Sequence, residues 1–198
     1  MTLAPRTGAA LAIAALAVLA LPAARGLLES SMTLHMLVQF PLLVAAGWLL
    51  ARALPARLRR HAGSWNAHGI AGLLAGALVL MVLMVPRVLD LALVDPRIEA
   101  AKWIALLAAG AGLQLSWQPA GLLVQGFFLG NLLPMTAAAG QLYLEAPVRL
   151  CNAYLLDDQV RLGQGLVLLS LLAAAAFIAR VLRRSCEGAA TPRPRPAP

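Results

Sequence analysis

The sequence predicts an all-α integral membrane protein, a helical bundle of about six transmembrane helices with both termini in the cytoplasm. Three observations predict it. First, 61% of the 198 residues are hydrophobic, 12% are charged and the mean hydropathy is +0.81, far more apolar than a soluble core of this length requires. Second, the apolar residues gather into stretches near the roughly 20 residues that cross hydrocarbon. Third, Lys and Arg concentrate in alternate loops, the pattern of cytoplasmic loops. The formal charge of +8, from 16 Lys and Arg against 8 Asp and Glu, is therefore a topology signal and does not imply nucleic acid.

Candidate spans lie at 7–24, 33–54, 68–89, 102–118, 121–144 and 163–182. The first follows a short basic region and ends in LALPAARG, so it also reads as a signal peptide; we take it as a retained helix. Between the second and third spans stand Arg52, Arg57, Arg59 and Arg60 with no acid, and the tail carries Arg180, Arg183, Arg184, Arg193 and Arg195. Both belong inside. Between the third and fourth, Arg87, Arg97 and Lys102 are balanced by Asp90, Asp95 and Glu99. The loop before the sixth mixes Glu145, Arg149, Asp157, Asp158 and Arg161. Those two face out, and removal of the first span leaves this orientation unchanged. Residues 1–184 thus form the bundle, and 185–198, ending in TPRPRPAP, form a disordered Pro/Arg-rich cytoplasmic tail.

Finer features follow the same logic. Gly72 with Gly76, and Gly126 with Gly130, have the four-residue spacing that lets helix backbones approach. Trp48, Trp65, Trp103 and Trp117 fall near span ends, as interfacial anchors do. Asp157 or Asp158 is placed to cap the sixth span.

The best candidate for chemistry is ESSMTLHMLVQF, where Met32, His35, Met36 and Gln39 share one helical face. Imidazole with thioethers suits copper, since soft sulfur favours Cu(I); methionines filling gaps between helices explain the same pattern. The topology puts Met81, Met84 and Met135 toward the outer side as well, where they are candidates to converge with His35. Gln125 and Asn131 join them as intramembrane polar groups. His68 lies at the opposite end of the membrane from His35, and His61 lies in a basic loop, which argues against a bis-histidine haem. GxSxG, HExxH and Walker-type motifs are missing from the sequence, so no catalytic residues and no enzyme activity are expected. Cys151 and Cys186 form no CxxC pattern and read as structural.

Two segments resemble one family. MTLHMLVQFPLLVAAGWLL is similar to the histidine-methionine helix of the polytopic CtaG-like cytochrome c oxidase assembly factors, and YLLDDQVRLGQGLVLL is similar to that family's aspartate-glutamine-glycine entry into a late helix, through Asp158, Gln159, Gly163 and Gly165. Gln39 stands where the family has a second histidine, and the tryptophan usual after the glycine turn is absent. The resemblance implies a non-enzymatic, multi-pass protein of a bacterial inner membrane. It would assist assembly of a respiratory haem-copper oxidase, with an oxidase subunit as partner and copper held by Met32, His35 and Met36. The competing expectation is a metal-free accessory or scaffold subunit of a larger membrane complex. A transporter is disfavoured, because no internal repeat is evident.

Overall fold

Prolines decide where the helices of this chain stop. In the computed structural model, which describes residues 4–190 and their side chains through Cys186, helix α1 (Pro5–Ala20) ends at Leu21, whose backbone is extended ahead of Pro22. Proline at i+1 drives the preceding residue out of the helical region. Helix α2 (Pro22–Glu29) then leaves α1 at 76°. The predicted first span, 7–24, is corrected accordingly: it breaks after Ala20, and its last residues begin a second helix. Val85 before Pro86 and Asp95 before Pro96 repeat the device.

The remaining elements are α3 (Met32–Arg52), α4 (Ala56–Trp65), α5 (Ile70–Leu83), α6 (Pro86–Val94), α7 (Pro96–Trp117), α8 (Gly121–Glu145) and α9 (Leu156–Ala190). Among the described residues there is no strand. Helices α3, α7, α8 and α9 are each long and apolar enough to cross a membrane, and the bent pairs α1–α2 and α4–α5 raise the number to six when each pair is one span. The predicted third span, 68–89, is corrected too. Helix α5 holds 14 residues, about 21 Å at the helical rise, and Pro86 starts a separate α6. Helix α9 runs past Arg184 to Ala190, and the predicted tail beyond it, 191–198, lies outside the described residues.

Glycine sets the closest crossings. A Cβ on Gly47 would strike the Leu107 carbonyl and one on Gly110 the Val44 carbonyl, so α3 and α7 touch backbone to backbone. Gly140 and Gly163 do the same for α8 and α9, where each added Cβ would meet the other's carbonyl at 2.8 and 2.7 Å. Of the pairs singled out in the sequence, Gly72 packs against Ser116 and Gly112 on α7, whereas Gly130 meets nothing within 4 Å. Met32, Leu43, Leu89, Leu106 and Leu162 fill the apolar core between these crossings.

Polar contacts sort the loops into two ends. At one, the amides of Asn152 and Ala153 donate to Asp90, and the Tyr143 hydroxyl donates to the Met84 carbonyl. At the other, Asn66 donates to Ser116 and accepts from the Gly72 amide, and Arg180 lies over the Trp117 ring at 5.8 Å. The mixed-charge loops thus gather at one end and the basic loops at the opposite one.

Candidate functional site

The site starts from two local sequence effects. Pro41 lacks an N–H and its ring crowds the carbonyl four residues earlier, and the helix widens just before it into a π-turn, His35–Gln39, closed by the Phe40 amide donating to the His35 carbonyl. Such turns recur at functional sites. Here it turns both His35 and Gln39 fully inward, at 0% exposure. On the facing helix, the Asp95 carboxylate accepts from the Arg97 amide and Pro96 takes the first helical position, a strong helix start. Helix α7 therefore begins at Pro96, ahead of the predicted 102. Glu99 and Lys102, expected in an outer loop, become neighbours one turn apart on a buried helical face.

Lys102, 2% exposed, is the hub. Its Nζ lies 2.7 Å from Glu99 Oε2, 2.8 Å from His35 Nε2 and 3.2 Å from Gln39 Oε1. The ammonium, a donor only, thus hydrogen-bonds His35 and Gln39 and pairs by charge with Glu99. His35 Nε2 then accepts, which makes Nδ1 the protonated nitrogen; it donates to the Tyr154 hydroxyl oxygen at 2.7 Å. Glu29 stands 3.9 Å from Lys102 and 3.5 Å from Arg25, whose guanidinium is also 3.5 Å from Glu99. Trp103 donates to Glu99 at 2.6 Å. The charges balance: Arg25 and Lys102 against Glu29 and Glu99, with His35 neutral.

A third carboxylate ties this network to α9. Asp158 accepts from the Met32 amide at 2.7 Å and the Ser31 hydroxyl at 2.8 Å. It lies in the first turn of α9, yet the helix it caps is α3, which corrects the expectation that it caps its own span. In the adjoining loop, burial is the main cause holding the Tyr154 phenol above its ordinary pKa, with Glu29 adding to it, so the hydroxyl stays protonated. Burial, then Asp90, pushes the Cys151 thiol up to about 12, so it is inert.

The structure divides the methionine and histidine candidates into two sets. Met32 and Met36 are buried in the apolar core around His35, whose ring nitrogens are both engaged. Met81, Met84 and Met135 line a cavity of about 460 Å³ between α5 and α8, together with Asn131; His35, Met32 and Met36 do not line it, and of the three lining methionines only Met84 also packs against the core that holds Met32 and Met36. Asn131 donates to the Phe127 carbonyl on its own helix and Gln125 to the Trp117 carbonyl. Among the described residues, no group of three or more His, Cys, Asp or Glu is placed to hold a metal ion.

Sequence reasoning passed over Arg25, Glu29 and Tyr154 as site residues, and it read Glu99 and Lys102 as loop charges and Trp103 as an interfacial anchor. The signals existed: Arg25 and Glu29 are four apart, Glu99 and Lys102 three apart, and Asp95-Pro96 announces a helix start ahead of both. Treating Glu99 and Lys102 as loop charges hid that they share a helical face. Compared with family models, curated proteins and solved structures, the chain finds no match.

Proposed function

We propose that this chain is an assembly factor for a respiratory haem-copper oxidase in a bacterial inner membrane, with both termini cytoplasmic and the mixed-charge end facing outward. One observation supports it above the others. The two segments that resemble the CtaG-like factors, more than a hundred residues apart, meet at a single place, where Asp158 holds the start of α3 and Tyr154 holds His35. That the two segments meet supports a shared role for them.

The same geometry favours a metal-free mode of assistance, in which the outer end docks an oxidase subunit. His35 has no free nitrogen for copper while Lys102 and Tyr154 occupy it, and an ammonium beside a candidate cation site opposes the ion by like charge. A second reading, copper as transient cargo, draws on Met32 and Met36 flanking His35 in the core. It requires the Lys102 ammonium to be withdrawn first.

Two measurements test this. Deleting the gene from its host should lower the amount of assembled oxidase, read from its haem spectrum, and plasmid-borne wild type should restore it; normal oxidase in the deletion strain refutes the assembly role. Cu(I) loading of the purified protein under reducing conditions separates the two modes. The metal-free mode predicts no copper in wild type, whereas copper retained by wild type and lost in His35→Ala establishes the cargo reading.

A further inference from the structure

Helix α4 is an anomaly in the bundle. None of its ten residues is buried, and it meets α5 at 85°. If α5 stands along the membrane normal, α4 lies in the membrane plane. It does so at the basic end, beside Asn66, which donates to Ser116 in the last turn of α7.

Its sequence, ARLRRHAGSW, has two unlike faces. Leu58, Ala62 and Trp65 follow at i, i+4 and i+7 and share one side. Leu58 is 54% exposed and Trp65 81%, so among the described residues this apolar side is largely uncovered. Arg57 and Arg59 fall on either flank of that side and Arg60 opposite it; none of the three makes an ion pair among the described residues. From Ser30 to Leu89 the sequence contains no acidic residue to neutralise them. An apolar stripe flanked by cations, parallel to the bilayer, is the arrangement of an interfacial helix: the aromatic and leucine enter the acyl boundary while arginines reach the phosphates.

We propose that α4 seats the basic end of the bundle on anionic phospholipid headgroups, with Leu58 and Trp65 in the acyl boundary and Arg57, Arg59 and Arg60 on the phosphates. The occupant is the lipid of the surrounding leaflet. Net positive charge without a protein counter-ion calls for an anion, and the orientation of the helix places it against the membrane surface. This does not depend on the oxidase reading.

The test titrates phosphatidylglycerol, with phosphatidylcholine as the neutral comparison, into detergent-solubilised full-length protein, with bound lipid counted by native mass spectrometry. Wild type should prefer phosphatidylglycerol. At about fivefold per arginine, the Arg57→Gln/Arg59→Gln/Arg60→Gln variant should weaken that affinity on the order of 100-fold. The triple lysine variant keeps the charge and should stay within a few-fold of wild type, which separates a lost site from a misfolded chain. Lipid with brominated acyl chains should also quench wild-type fluorescence more than that of Trp65→Phe. The proposal is overturned if wild type shows no preference, if the glutamine variant keeps the wild-type affinity, which would move the lipid to Arg180, Arg183 and Arg184, or if quenching is equal with and without Trp65.

Discussion

Replacing Lys102 by methionine keeps an unbranched stem in the core and deletes only the ammonium, so it isolates the charge at the hub of the network. Two carboxylates, Glu99 at 2.7 Å and Glu29 at 3.9 Å, then share the single cation Arg25, while His35 Nε2 and Gln39 Oε1 lose their donor. At an effective dielectric of 20, unit charges 4 Å apart interact by about 4 kcal/mol. Desolvation of Lys102 offsets part of each attraction, because a buried pair gains little over apolar residues of the same shape. Removing one partner alone is different: it strands a buried charge and costs about 3–5 kcal/mol.

The reasoning therefore predicts strong non-additivity. Lys102→Met should lower the unfolding free energy by about 3–5 kcal/mol. Adding Glu99→Gln to it removes the stranded carboxylate and should recover about 2 kcal/mol, within the coupling range of directly contacting residues. The assay is denaturant unfolding in mixed micelles, followed by circular dichroism, for wild type, both single variants and the double variant. Additive losses to within about 0.5 kcal/mol would refute the network as an energetic unit.

Further predictions address other parts of the bundle. Asp158→Ala removes the cap on α3 and should cost about 1–2 kcal/mol, with Asp158→Asn milder because one amide oxygen still accepts from Met32; equal costs in the two would remove the capping argument. Gly47→Val drives a side chain into the Leu107 backbone and should cost at least 1–3 kcal/mol by forcing α3 from α7. Gly130→Ala, facing open space, should stay within about 0.5 kcal/mol. The two cysteines report reactivity and topology together. A thiol raised to about 12 from an ordinary 9 carries roughly a thousandfold less thiolate at pH 8, so maleimide should label exposed Cys186 and spare Cys151 until the protein unfolds. On intact cells a membrane-impermeant maleimide should reach Cys186 only after permeabilisation; labelling without it would invert the proposed orientation.

Hydropathy made the membrane class and most spans legible, because crossing hydrocarbon demands a long apolar stretch whatever the fold. It failed at the edges, where apolar runs continue through a break. Pro22 and Pro86 sit inside such runs, and hydropathy counts Leu21 or Val85 as readily in an extended link as in a helix. Only one side of the candidate site was visible, since His35 and Gln39 belong to an unusually polar turn of an apolar helix. Its counter-charges were not. Glu99 and Lys102 look like a neutral loop pair in a window average, and only the capped start at Asp95 places them on a buried face. Tyr154 had no local signal at all, because its position depends on how the 146–155 loop folds back over α3.

The depth of the network limits what it can do. Lys102 is six residues into α7 and Gln39 seven into α3, each about 10 Å of helix from the mixed-charge end, against a hydrocarbon core of about 30 Å. The polar chain runs by hydrogen bonds from Tyr154 through His35 to Lys102 and by ion pairs through Glu99 to Arg25, and both of its ends return to that same side. The network thus lies toward one end of the bundle and does not reach the other. It fixes α2, α3, α7 and the loop before α9 in one arrangement at one surface. Four compensated charges there gain little over an apolar core, and in the proposed role they serve to specify that surface. A surface held in a single shape, on the side away from the arginine-rich α4, is what docking a membrane partner requires.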